Sequence, residues 1–350
     1  MPFLDLPNEL IQSLSSELNS KDLSHLIRTC HDLHSILTPL LHRLAHEKRG
    51  YELDALQWAA SKGHEPLVRL LISHGSDINV GRGQRYGTAL HIAARNNAEN
   101  ISELLVNLGA DVGVKCSSGR TPLHWAAYSG STKVCELLLE KGADLSCVDI
   151  NSASALSDAV SQGQDDVVRL LLEKGADITA ATTGPNIGGT SALHQAAYYG
   201  HEAVVKTLMS HGANIHVENA LGARPLHCAA SNCAVGVAEM LLDGGEDINS
   251  ETLVGYTSLH LAAESGDVKM ITLLVNRGAK IDATERTGKT PLHLAAGNWR
   301  PDAVRMLLRR GADYLARDVH KQTALDVAKG ADMIDDNRLA VDMLRSKMVR

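Results

Sequence analysis

Histidine is the residue whose abundance first raises the question of chemistry, with 17 in a chain of 350 residues. Imidazoles that share a helix face can chelate a metal or relay a proton. His31 with His34, and His42 with His46, stand at i,i+3 and i,i+4 and would share such a face. Neither pair has a supporting cluster, Lys48 and Arg49 lie beside the second, and the chain has no C-x-x-C pair, so a solvated polar face accounts for them. His227, Cys228 and Cys233 make no better centre, because His227 and Cys228 fall inside a recurring phrase. Six histidines (His91, His124, His194, His227, His260, His293) occupy one position of that phrase, which spreads them along the chain instead of gathering them at a centre. No phosphate loop, dinucleotide fingerprint or H-E-x-x-H is present; Gly81-Arg82-Gly83 lacks the Lys-Ser/Thr that would follow it in a phosphate loop. No catalytic residue, metal site or cofactor is expected.

The phrase itself fixes the elements. It reads T-A-L-H-I-A-A from Thr88, T-P-L-H-W-A-A from Thr121, S-A-L-H-Q-A-A from Ser191 and T-P-L-H-L-A-A from Thr290. Degenerate copies start at Asp54, Ser154, Arg224, Thr257 and Thr323. Starts recur about every 33 residues, with one extra residue before Thr88 and four before Ser191. Each copy continues into a second apolar stripe closed by glycine, as in Val134 to Gly142, where a left-handed cap costs glycine little. From about Tyr51 to Arg350 the chain resembles the ankyrin-repeat family. The resemblance implies an all-α solenoid of helix-turn-helix units with hairpin fingers, about nine units over residues 50–350, the last a cap. It implies too that the motif histidines bond to neighbouring backbone at helix starts. Gln57 and Asp326 replace the histidine in the first and last units, as suits capping repeats. Two interior units look weak: the one from Ser154 has Ser157 and Val160 in its motif, and the one from Arg224 carries Gly236 and Glu246. Between them an insertion, Thr182 to Gly189, enlarges one finger with turn-forming residues.

Residues 1–49 have a different texture, with leucines at helical spacing and no such phrase. Leu6, Pro7, Glu9, Leu10, Ile11, Leu18, Asp22, Leu23, Leu26, Cys30 and Leu33 follow the pattern of an F-box, which this segment resembles. The resemblance, to proteins of filamentous fungi that join an F-box to ankyrin repeats, implies docking of a Skp-type adaptor through Leu6, Pro7, Glu9, Leu10, Ile11 and Leu23. The repeats would then hold a substrate for ubiquitylation. His31 and His34 depart from that pattern, and the same helices would also serve as a plain N-terminal cap.

Composition limits the partners. A net charge of −7 gives no basic surplus for nucleic acid or an anionic membrane surface. Six scattered cysteines are not a disulfide framework, and no segment approaches the roughly 18 uncharged apolar residues of a membrane span. A monomer in the cytoplasm, the nucleus or both is expected, working as a protein-binding adaptor. The two residues after each Ala-Ala pair and the finger tips should line a concave groove. This register selects Arg95, Tyr128, Tyr198, Tyr199, Tyr256, Ile187 and Leu253 as the partner-binding set, the residue types favouring binding hot spots. Packing between repeats is the alternative use of the tyrosines, and Trp58 and Trp125 are expected to pack within the stack.

Overall fold

The structure is a computed structural model and describes residues 55–73, 75–81, 85–182, 188–330 and 335–348. Leu6, Pro7, Glu9, Leu10, Ile11, Leu23 and Ile187 lie outside these residues. The chain divides into two compact units, Met1–Ile150 and Asn151–Arg350.

In the first unit the described residues form three helix pairs: α1 (Ala55–Ser61) with α2 (Glu65–Ser73), α3 (Ala89–Arg95) with α4 (Glu99–Asn107), and α5 (Pro122–Ser129) with α6 (Thr132–Glu140). The second unit begins with α7 (Ala155–Ser161) and α8 (Asp165–Glu173), followed by the strands β1 (Ala181–Thr182) and β2 (Thr190–Ser191). Next come the pairs α9 (Ala192–Tyr199) with α10 (Glu202–Ser210), α11 (Pro225–Ser231) with α12 (Val235–Asp243), and α13 (Ser258–Ser265) with α14 (Val268–Asn276). Last are α15 (Pro291–Gly297) with α16 (Pro301–Arg309) and α17 (Ala324–Gly330) with α18 (Asp335–Met348). Apart from β1 and β2, regular structure in the described residues is helical, as an all-α ankyrin-type solenoid requires.

The recurring phrase builds the first helix of each pair. Its Thr or Ser sits in extended conformation at the N-cap, and Pro or a small residue follows where the backbone N–H has no helical partner. The histidine three residues on completes the cap. Its Nδ1 accepts from the cap's backbone N–H, at 2.9 Å in Thr88/His91 and 3.1 Å in Thr257/His260, and shares a hydrogen bond with the cap hydroxyl. The ring's other nitrogen, Nε2, then carries the proton and donates to a carbonyl 29 residues further on: Arg120 O (3.1 Å) from His91, Ala223 O (2.8 Å) from His194, Lys289 O (3.1 Å) from His260 and Gln322 O (3.1 Å) from His293. One imidazole therefore caps its own helix and ties it to the next finger.

Three units lack the histidine; in one, Ser157 N–H donates to the Ser154 hydroxyl at 3.3 Å, and the first and last units divide the histidine's work. Gln57 donates from Nε2 to Gly87 O at 2.6 Å and so keeps the forward tie. Asp326 accepts through Oδ2 from the backbone N–H of Thr323 (3.0 Å) and its hydroxyl (2.7 Å) and so keeps the cap.

The motif leucine and the Ala-Ala pair are the core. Leu90, Leu123, Leu193, Leu226, Leu259 and Leu292 are buried, and the paired alanines beside them are solvent-free, allowing successive first helices to approach closely. Removing such a leucine to alanine costs about 2–5 kcal/mol in typical cores. The second helices bury one stripe, such as Val134, Cys135 and Leu138 in α6, and end at left-handed glycines such as Gly142 (φ 86°). α12 completes its span despite Gly236.

Fingers are linked by backbone. In the first unit Ile150 N–H donates to Ser118 O at 3.1 Å. In the second, Ala220 donates to Gly188 O (3.0 Å), Leu253 to Leu221 O (2.9 Å), Arg286 to Val254 O (3.1 Å) and Val319 to Thr287 O (2.9 Å). Gly222 (φ 69°) is needed for this approach, since a Cβ there would lie 2.8 Å from Leu253 N. Buried side chains brace the turns: Asn219 Oδ1 accepts from Leu221 and Ala223 N–H, and Asp318 Oδ1 from His320 and Gln322 N–H. On either side of the insertion β1 and β2 pair antiparallel, with Ala181 opposite Ser191 and Thr182 opposite Thr190.

Candidate protein-binding surface

The first unit presents a cluster of arginine and aromatic side chains. Arg95, the last residue of α3, is exposed and places its guanidinium 5.0 Å from the ring centroid of Trp125 on α5. Arg120, from the preceding finger, lies 5.3 Å from the same ring and 5.9 Å from Tyr128. Trp125 and Tyr128 meet edge to face at 6.1 Å. Arg120 is also held by Asp149, Nε to Oδ2 at 3.3 Å. Tyr86, under the guanidinium of Arg85 at 5.8 Å, joins Ile92, Arg95 and Trp125 in lining a cleft of about 200 Å³. Such Arg, Trp and Tyr groupings are the common make-up of binding hot spots. Trp58 is buried in the stack as its position suggested, but Trp125 is only half-buried and belongs to this surface.

The second unit presents a tyrosine pair at the end of α9. Tyr198 and Tyr199 are 45% and 51% exposed and meet edge to face at 5.2 Å. Tyr199 stacks on His201 at 5.8 Å, and His201 Nε2 bonds Ser161 O at 3.2 Å. Asn232 Nδ2 donates to Tyr198 O at 2.6 Å. The two rings thus pack on each other and Tyr199 on His201, Asn232 holds the Tyr198 backbone, and both rings keep open faces. Leu253 is 59% exposed at a finger tip, next to Val254, which is also exposed. Tyr256 is half-buried, tilted against the His260 ring at 5.6 Å. Burial, with Glu264 and Glu285 nearby, pushes its phenol up. Arg95 and Tyr128 therefore come together in one unit, and Tyr198 with Tyr199 in the other.

A feature missed from sequence is the ion cluster of the unit beginning at Arg224. Glu246, where sibling repeats keep alanine, is buried with Oε1 3.2 Å from Arg224 Nη1 and Oε2 2.9 Å from His216 Nδ1. Arg224, where siblings have a capping hydroxyl, also pairs with Glu218 at 3.0 Å. The arginine has no acceptor to offer the helix, so His227 Nδ1 meets only its backbone N–H (3.0 Å). Two departures that look like defects one at a time are partners. The signal was available, in that both fall in one repeat.

The titratable groups are arranged for structure. Burial lowers His91 and His227 to about 4, with backbone acceptors at Nε2 opposing the shift, and burial also lowers His194 and His260. Burial pushes the Cys135 and Cys228 thiols up to about 12, away from thiolate reactivity. Among the described residues no group of three or more His, Cys, Asp or Glu could hold a metal, and no helix is long and apolar enough to cross a membrane.

Comparison with known proteins agrees with this geometry. The sequence model for ankyrin repeats (three copies) matches residues 23–116, 108–182, 181–252 and 241–318. The first match starts within the leucine-rich N-terminal segment. Human Ankyrin repeat and SOCS box protein 6 is 40% identical over 79 residues, which are 22% of this chain and 19% of that protein. The NF-kappa-B inhibitor cactus of Drosophila melanogaster is 37% identical over 62 residues, 17% of this chain and 12% of that protein. The chain therefore covers a fifth or less of the length of these relatives. The phrase, the helix pairs with linked fingers and a match running through most of the sequence agree: the chain belongs to the ankyrin-repeat family, whose repeats bind protein partners.

Proposed function

We propose that this protein is a non-catalytic adaptor that recruits a protein through its repeats and, through residues 1–49, a Skp-type component of a ubiquitin ligase. The observation that carries the first half is the Tyr198/Tyr199 pair, whose rings pack edge to face with Tyr199 stacked on His201, yet which is about half exposed. Aromatic surface held in one conformation binds at low entropic cost. The second half rests on Leu6, Pro7, Glu9, Leu10, Ile11 and Leu23, which follow the F-box pattern. A name such as Ankyrin repeat and SOCS box protein 6 gives a precedent for ankyrin repeats sharing a chain with a second, differently named box.

Affinity capture with the full chain tests both halves. Tyr198→Ala with Tyr199→Ala should lose the repeat-bound protein but keep the Skp-type adaptor. Leu6→Arg with Leu10→Arg should do the reverse. If no adaptor is captured by the unmodified chain, the ligase half is wrong. The second reading is then a scaffold that holds a regulatory protein without a ligase, which the similarity to the inhibitor cactus favours.

A further inference from the structure

In the cleft of the first unit the arginine is used differently from the ion-paired bases of that unit. Arg69 is paired to Glu65 at 2.8 Å, Arg120 to Asp149, and Lys133 to Glu99 at 2.9 Å. Arg95 has no carboxylate partner among the described residues, and no carboxylate lines the cleft beside it. What holds Arg95 is the face of the Trp125 indole. Stacking uses the flat face of a guanidinium and leaves the N–H donors of its edge directed outward, the geometry that accepts a carboxylate in two parallel hydrogen bonds.

A second observation lies in the same place. The Trp125 Nε1–H is buried and finds no acceptor among the described residues. A buried donor left unmade is unfavourable, and an acceptor oxygen brought to it by a small shift of the surrounding side chains would relieve that cost. None of the polar side chains lining the cleft (Ser61, Tyr86, His91, Asn96) accepts from it, and both ring nitrogens of His91 are engaged by Thr88 and Arg120. Tyr86 and the largely buried Ile92 line the cleft with apolar surface next to the charge.

We propose that this cleft seats an acidic, partly apolar segment of a protein partner. An Asp or Glu carboxylate lies against Arg95 within reach of the Trp125 N–H, and a neighbouring apolar side chain lies against Tyr86 and Ile92. The proposal rests on the protein-binding reading above and names the chemistry of what is bound. Nucleic acid, which also stacks on Arg and aromatic groups, is disfavoured by the net charge of −7, since a long polyanion feels more than this one cluster.

The test uses the full chain and dye-labelled short peptides read by fluorescence anisotropy. The probes are an alternating Glu/Leu peptide, the same peptide with Gln for Glu, the same with Lys for Glu, and a single-stranded oligothymidylate. The Glu peptide should bind at least about tenfold more tightly than the Gln peptide, and added salt should weaken it. Arg95→Gln should remove that preference. Arg95→Lys should retain part of it, and Trp125→Phe, which keeps a ring but deletes the N–H, should weaken binding several-fold. Arg305→Gln, on an exposed pair with Asp302 in the other unit, should change nothing. Circular dichroism of each variant guards against misfolding, and Arg95 is exposed enough to replace safely.

Equal binding of the Glu and Gln peptides, insensitivity to Arg95→Gln, tighter binding of the oligothymidylate, or no binding of any probe would each overturn the proposal. The two readings fail separately. A captured protein indifferent to Arg95→Gln leaves the adaptor reading intact and removes this one. Failure to capture any protein removes the adaptor reading itself.

Discussion

Acidification should loosen this protein well before its carboxylates begin to titrate. His91 and His227 are held neutral down to about 4, first by burial, and their Nδ1 atoms already accept a backbone N–H, leaving no place for a second proton. In the unfolded chain the same imidazoles titrate near the ordinary value of about 6.5. The folded value is depressed, so the unfolded state binds more protons below that point. The stabilisation is complete above about pH 6.5 and is lost as pH falls toward 4. At pH 5 the linkage amounts to about 2 kcal/mol for each residue, or about 4 kcal/mol for the two together. His194 and His260 are shifted the same way and add to this.

The assay is urea unfolding followed by circular dichroism at about pH 7.5 and about pH 5, integrating all steps because repeat arrays need not unfold in one. Glu285 and Asp326, both lowered, cannot produce the effect, because their contributions disappear only as pH falls below ordinary carboxylate values of about 4. Replacing His227 with Gln, patterned on Gln57, keeps a forward donor and deletes the titration, so it should cut the pH dependence by roughly 2 kcal/mol. A urea midpoint that is unchanged or higher at pH 5 would refute the reasoning.

Other perturbations give equally direct readings. Arg224→Ala strands the buried Glu246 and should cost about 3 kcal/mol in chemical unfolding, whereas Arg224→Thr with Glu246→Ala, the sibling pattern, should be neutral or stabilising. Cys233 holds a left-handed conformation (φ 61°) at a turn where Gly200 and Gly266 stand in neighbouring repeats. Cys233→Gly should raise stability by up to about 1 kcal/mol and Cys233→Val should lower it, both read from the urea midpoint. Gly222→Ala should break the contact with the next finger and speed amide exchange at Leu253, leaving exchange at Val319 unchanged.

The helix pairs were legible because their causes are local. A cap hydroxyl, a proline, a histidine three residues on and a closing glycine act within one turn of chain, and each fell where the phrase put it. Gln57 and Asp326 were legible as departures, but not the division of labour between them, because which half of the histidine's work is needed depends on a neighbouring finger. The Arg224–Glu246 pair escaped for a related reason: 22 residues separate the partners, and only the fold of the helix pair between them closes that gap. Trp125 sits at a motif position that usually packs. Its role on the surface follows from Arg95, which reaches it from the preceding repeat.

The forward ties of the histidines end on main-chain carbonyls, those of Arg120, Ala223, Tyr256, Lys289 and Gln322. A carbonyl is the same whatever side chain its residue carries. The joint between repeats is therefore blind to sequence at the point where it is made, and residues as unlike as arginine, alanine and tyrosine occupy it without altering the bond. Evolution can exchange, duplicate or delete whole repeats and the joint re-forms. It can also rewrite the side chains at these joints, so that the Arg120 side chain pairs with Asp149 and lies over Trp125 while its backbone holds the stack together.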